Sequence, residues 1–285
     1  CVLGLGLIGG SILRAAHDAG RPVWGWNRSA NAILGAVADG YDVGTDLVAA
    51  LSRAAAQDAL IVVAVPMPAV ESILTAVAEH APTAPLTDVV SVKAEMAAAV
   101  EAQGLQARYV GGHPMAGTNH SGWSATDPTL FADAVWVVST DPGVDADVWV
   151  RVARLALDCG SVVVPAESVE HDRAVARISH LPHVLAETLA IVGAAGGPLA
   201  LGLAAGSFRD GTRVASSSPN LVRAMTEGNA AALRTALDEA LDALTAAREE
   251  LDEGSTKSLV EAGNTARLQY EQHQRFEITD ITPGE

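Results

Sequence analysis

Cysteine is almost missing from this chain: Cys1 and Cys159 are the only two among 285 residues, and they form no CxxC or metal-ligand spacing. That excludes a disulfide scaffold and a cysteine-based zinc centre, and it suits a reducing, cytoplasmic setting. Positive charge is scarce too, with 18 Lys and Arg against 34 Asp and Glu and a formal net charge of -16. So acidic a chain is a poor match for nucleic-acid phosphates or an anionic membrane surface, and any anionic ligand has to be met by local cations. Long hydrophobic runs are lacking. The longest, Ala59 to Val65, has strand length, so no membrane span is expected. Internal repeats and low-complexity tracts are absent as well. At about 150 residues per domain, the length predicts two domains with ample core.

What is present starts at the first residues. Cys1-Val2-Leu3 runs into Gly4-Leu5-Gly6-Leu7-Ile8-Gly9, a GxGxxG ahead of a helix over 11–19 that Gly20 ends. Pro22 to Trp26 then reads as a second strand, which completes a βαβ unit. In such a unit the first glycine permits a tight turn, the second lets backbone approach a pyrophosphate, and the third lets helix pack on strand. Gly4, Gly6, Leu7, Ile8 and Gly9 are therefore candidate contacts to a dinucleotide. The sequence begins inside the first strand and without Met, so a few preceding residues are expected.

The tip of the second strand bears on which dinucleotide. An NAD site usually places Asp or Glu there to accept from the ribose 2'-hydroxyl. Here stand Asn27-Arg28-Ser29, where Arg28 can fork onto a 2'-phosphate and Ser29 can add a donor. NADP is favoured and NAD remains possible. The competing reading makes Arg28 a solvated surface residue and Asn27 a turn former.

Alternating strands and helices through the first half predict an α/β doubly wound, Rossmann-type parallel sheet. Ala59 to Val65 stops at Pro66, Thr87 to Val90 stops at Ser91-Val92-Lys93, and Ala107 to Val110 stops at Gly111-Gly112-His113-Pro114. Ligands of such sheets bind outside the carboxyl ends of the strands. Val65, Pro66 and Ser91 thus join the glycines as cofactor candidates, and Ser91 and His113 become catalytic candidates on one edge rather than isolated polar residues.

The second half reads as helical: about 169–195, 199–203, 219–227 and 230–251. Leu233, Leu237, Leu241, Leu244 and Leu251 stripe the last of these opposite Asp238, Glu239, Asp242, Glu249 and Glu250. Such a stripe suits packing within its own domain or a homodimer through the C-terminal helices, the reading favoured here. The boundary is placed after Glu167, giving a dinucleotide-binding domain over 1–167 and an all-helical dimerisation domain over 168–285. Ser179-His180-Leu181-Pro182-His183 puts two imidazoles on one helical face beside a proline that removes a backbone donor. Metal binding, structural capping and substrate recognition are all open to this HxxH. The third is preferred, because no HExxH pattern or nearby third ligand accompanies it. Gly206 to Arg213, read as a loop between helices, concentrates Arg209 and Arg213. One can pair with Asp210 and the other can clamp a carboxylate.

Gly4 to Ser11 (GLGLIGGS), Ser91-Val92-Lys93, His113 to Gly117 (HPMAG), Ser179 to His183 (SHLPH) and Phe208 to Arg213 (FRDGTR) follow one another as in prephenate and arogenate dehydrogenases of tyrosine biosynthesis, which this chain resembles over nearly its whole length. The resemblance implies a Rossmann domain, a helical dimerisation domain and an active site in the cleft between them. It implies His113 as catalytic histidine, Ser91 as its hydrogen-bond partner near the nicotinamide, Arg213 as ligand of the substrate carboxylate, and His180 and His183 in the pocket, with no metal. Two positions depart from the pattern: Asn119, followed by His120, where many relatives are acidic, and Val222 where many have Trp. Asn119 and His120 suit the keto-acid side chain of prephenate better than the ammonium of arogenate. Two other readings have distinct signatures. A hydroxyacid dehydrogenase would carry a catalytic lysine on the helix over 168–195, which has none, and a non-enzymatic NADP sensor would bind cofactor without turnover.

Overall fold

The computed structural model describes residues 1–118 and 120–273, in two compact units, Cys1–Asp172 and the part from Arg173 onward. In the first unit a six-stranded parallel sheet runs in the order β3-β2-β1-β4-β5-β6. Its strands are short and apolar: β1 Val2–Leu3, β2 Gly25–Trp26, β3 Val43–Gly44, β4 Ile61–Val63, β5 Leu86–Asp88 and β6 Tyr109–Val110. Helices α1 Leu7–Asp18, α2 Ala30–Ala38, α3 Leu47–Ala56, α4 Met67–His80 and α5 Lys93–Ala102 connect them. Two buried clusters flank the sheet. One gathers Leu3, Leu51, Ile61, Leu74 and Met96, the other Val2, Ile12, Phe131, Trp136 and Val152. Strand order reverses between β1 and β4, the topological switch point where such sheets bind ligands.

A second sheet corrects the expected strand endings. β7 Gly112–Pro114 pairs antiparallel with β8 Val135–Ser139, which pairs parallel with β9 Val162–Ala166. His113 therefore lies inside a strand, opposite Val137, rather than in a loop past β6. The helix α6 Ala146–Asp158 precedes β9 and opens on Asp145, whose side chain accepts from the N–H groups of Asp147 and Val148. Cys159, at the carboxyl end of α6, is a buried free thiol whose pKa burial pushes up to about 12.

The later helices are α7 Ser168–Val175, a π-helical turn over Ala176–His180, α8 Leu181–Ala195, α9 Gly197–Gly202, α10 Gly206–Thr212, α11 Pro219–Gly228, α12 Ala230–Asp252 and α13 Lys257–Gln272. The π turn lies just before Pro182, whose ring cannot donate to the ladder. One expectation needs correction and two features are added. The Gly206 to Arg213 segment is helix α10 and not a loop. Helix α13 was not expected, its apolar residues being too sparse to show a period. The helical stretch Ser168–Ala195 is, by length and composition, apolar enough to cross a membrane, although no uninterrupted apolar run in it reaches that length. Only 11% of its most apolar window is buried, and Ile178, Ile191 and Val192 stand 69%, 69% and 64% exposed. On α12, Leu233 is buried, whereas Leu241, Leu244 and Leu251 further along the same stripe are exposed.

Candidate active site

The glycine motif folds as its chemistry requires. Gly4 follows β1 with φ +103°, and a Cβ there would stand 2.5 Å from the Ala64 carbonyl oxygen. A Cβ on Gly9 would come within 2.0 Å of the Gly4 oxygen, so α1 can lie this close to the strand only without one. Gly6 differs: a Cβ there would meet nothing within 4 Å, yet Gly6 is the N-cap of α1 and no side chain caps the helix. Protein packing gives no reason for a glycine at this position. An unfilled approach to the uncapped N-terminus of a twelve-residue helix with no acidic residue in its first turn fits a pyrophosphate. Val65 and Pro66 follow β4 on the same edge, where Val65 flanks Gly4, and Ser91 follows β5. After β2, Asn27 is partly buried while Arg28 and Ser29 are exposed, with no carboxylate among the three.

His113 is fixed from two sides. Its backbone is held by a buried charged cluster: the ammonium of Lys93 pairs with Asp88 and donates to the carbonyl of Gly112 at 2.7 Å, and the Tyr109 hydroxyl donates to Asp88 at 2.7 Å. Burial pulls the Lys93 ammonium below its ordinary pKa while Asp88 pulls it back up. Burial, reinforced by Asp88, pushes the Tyr109 phenol well above its own. Gly111 donates to Ser139 Oγ at 2.7 Å and clamps the start of β7.

The ring of His113 is held separately. Its Nδ1 lies 2.8 Å from Nε2 of His171, and His171 Nδ1 lies 2.8 Å from Asp172 Oδ1. Asp172 also accepts from the backbone N–H groups of Lys93 and Ala94, each at 2.8 Å, so the start of α5 grips its two oxygens. Burial would raise the Asp172 carboxyl, but the hydrogen bonds from His171, Lys93 and Ala94 outweigh it and hold the group below the usual carboxylate range. The partner on Nδ1 is thus His171, a contact that the sequence does not announce. Neither His171 nor Asp172 is among the candidates read from the sequence. A His-Asp pair on the first turns of a helix was the one signal that pointed to them.

In the second unit the two histidines of SHLPH part company. His180 is 1% exposed, with Asn229 Nδ2 3.3 Å from its Nδ1. His183 is partly buried, and its Nδ1 lies 2.9 Å from the carbonyl oxygen of Ser179. A carbonyl only accepts, so Nδ1 of His183 carries a proton and Nε2 is the ring nitrogen left to meet a ligand. Arg213 follows α10, is exposed, and makes no ion pair among the described residues. Arg209 pairs with Asp210 at 3.3 Å, with 79% and 73% of the two side chains exposed. Asn119 lies outside the described residues.

Family models match the chain in two consecutive parts: "Prephenate dehydrogenase, nucleotide-binding domain" over residues 12–165 and "Prephenate dehydrogenase, dimerization domain" over 167–264. The prephenate dehydrogenase of Bacillus subtilis is 30% identical over 278 residues, 93% of this chain and 73% of that protein. A crystal structure from Corynebacterium glutamicum, provisionally named a prephenate dehydrogenase, superposes with a TM-score of 0.92 at 54% identity over 95% of this chain and 88% of the other. The arogenate dehydrogenase of Synechocystis gives 0.80 at 30% identity, covering 94% and 98%.

Proposed function

The chain belongs to the prephenate dehydrogenase family, as an NAD(P)-dependent oxidoreductase, and we propose that it converts prephenate to 4-hydroxyphenylpyruvate with NADP as the preferred cofactor. The observation that carries the reading is His113, set in β7 with its Nδ1 engaged by His171. Its Nε2 is the nitrogen to take the proton of the ring hydroxyl. Bound nicotinamide supplies the acceptor for the hydride given up by the carbinol carbon. The ring carbon then breaks its bond to the carboxylate as CO2, that electron pair restores aromaticity, and the new phenol oxygen recovers the proton from His113. The reaction is proton-neutral overall, and rearomatisation drives it without a metal. Gly4, Gly6, Leu7, Ile8, Gly9, Val65, Pro66 and Ser91 hold the cofactor, with Asn27, Arg28 and Ser29 at its ribose. Arg213 grips a substrate carboxylate, while His180, His183 and Asn119 contribute to recognition. The division at Glu167 belongs to the same reading, as does a second copy of the chain covering the exposed apolar faces of α8 and α12.

Absorbance at 340 nm, recorded with prephenate or arogenate against NAD or NADP, tests substrate and cofactor together. Turnover of arogenate alone would transfer the assignment to that substrate. Arg28 gives the cofactor arm a control. Its guanidinium has a 2'-phosphate to grip only in NADP, so Arg28→Ala is expected to raise the KM for NADP at least about tenfold and that for NAD hardly at all. Equal losses for both cofactors would remove Arg28 from phosphate recognition.

A further inference from the structure

We propose that His171 and Asp172 are positioning residues that fix the tautomer of His113 and share the charge it acquires during turnover. The inference rests on His113 being the base. Its starting point is Asp172, whose oxygens accept from the N–H groups of Lys93 and Ala94 at the head of a ten-residue helix. A carboxylate pinned there is an acceptor, so His171 must donate to it from Nδ1, across 2.8 Å. Neutral His171 then has its lone pair on Nε2. That nitrogen faces His113 Nδ1 at 2.8 Å, so His113 in turn must be the donor. The proton on His113 is thereby placed on Nδ1, and Nε2 is left unprotonated as the basic atom. Donor and acceptor roles along three side chains follow from the helix terminus at one end, in the same sense as an Asp–His pair orients a catalytic base.

The arrangement also acts during the reaction. When Nε2 takes the substrate proton, the positive charge on His113 lies one hydrogen bond from His171 and two from an anion. The Nδ1 proton can shift towards His171 Nε2 as the His171 Nδ1 proton shifts towards Asp172, and both return when His113 gives its proton to the product oxygen. No electrons are exchanged and no proton is lost. Backbone bonds to Gly111 and Gly112 hold the strand carrying His113, and α5 holds Asp172, so both ends of the relay are set by main-chain contacts. Among the described residues, Lys93, Asp88, Tyr109 and Asp141 are charged or titratable groups near it, of which Asp141 is bound to Ser168 at the start of α7.

His171→Ala and His171→Gln, with His113→Asn beside them, separate the possibilities. His171→Ala should lower kcat about 10²-fold while substrate KM and cofactor Kd stay within threefold. The acid limb of kcat/KM should move to lower pH, because the His113 imidazolium has lost its link to a carboxylate. A purely architectural role would leave that limb in place. The amide oxygen of His171→Gln can still accept from His113 Nδ1, so this variant should regain at least about tenfold over alanine. Independently of turnover, nitrogen-15 spectra of histidine-labelled wild-type protein should show His113 protonated at Nδ1. A folded His171→Ala enzyme with kcat within threefold of wild type, or a wild-type His113 protonated at Nε2, would overturn the relay. Should the alanine variant fail to fold, His171→Gln and the wild-type spectra still decide. Retained turnover in His113→Asn would instead strike at the base assignment, a distinct result.

Discussion

His113→Asn is expected to lower kcat by about 10² or more while leaving NADP affinity unchanged. Asparagine preserves a polar side chain in β7 and can still donate towards His171, but it offers no nitrogen able to take the hydroxyl proton. The cofactor elements at the ends of β1, β2 and β4 are left intact, so Kd measured by fluorescence titration should not move. Turnover near the wild-type level would remove His113 from the chemistry. A parallel loss of cofactor affinity would mean that β7 supports the cofactor site and not the base alone.

Arg213→Ala should act on the other reactant. An exposed guanidinium without an ion pair among the described residues, in a protein of net charge -16, is suited to a ligand carboxylate. Loss of one charged hydrogen bond or fork corresponds to a rise in substrate KM of about tenfold to a hundredfold. Cofactor Kd should stay constant. Arg209, in α10 just before it, is the control. From the sequence, its pairing with Asp210 suggests a stabilising brace, but both side chains are largely exposed and such a pair contributes little. Arg209→Ala is accordingly expected to change neither KM nor melting temperature appreciably. If instead Arg209→Ala weakens substrate binding and Arg213→Ala does not, the two roles are exchanged; if both leave KM unchanged, the clamp lies elsewhere.

The contrast between the two halves of the chain shows what was legible in the sequence. The βαβ start was legible because Gly4 and Gly9 sit where a side chain would strike backbone or the neighbouring strand, and a constraint that local leaves a fixed spacing. Helix α12 was legible from its apolar period. β7 and β8 were not, since neither Gly112–Pro114 nor Val135–Ser139 announces that it will pair across twenty intervening residues in a second sheet. His113 stands out through its motif, whereas its contact with His171 does not. The contact between His113 and His171 spans 58 positions, and the N-terminus of α5 that holds Asp172 lies 79 positions before Asp172 in sequence. Periodicity reports on faces of single elements and is silent about which distant side chain a folded strand will meet. His183 shows another limit: which of its ring nitrogens carries the proton depends on a carbonyl one turn away.

The exposed apolar residues of α8 and α12 carry a thermodynamic consequence if a second copy covers them. Folding and association then become one equilibrium, and the protomer has no private stability that can be quoted without a concentration. The melting temperature should rise as protein concentration is increased, with loss of secondary structure and dissociation tracking each other. Dilution would work as a denaturant on this chain, exposing Ile191 and Val192 of α8 and Leu241 and Leu244 of α12 to whatever apolar surface is nearest.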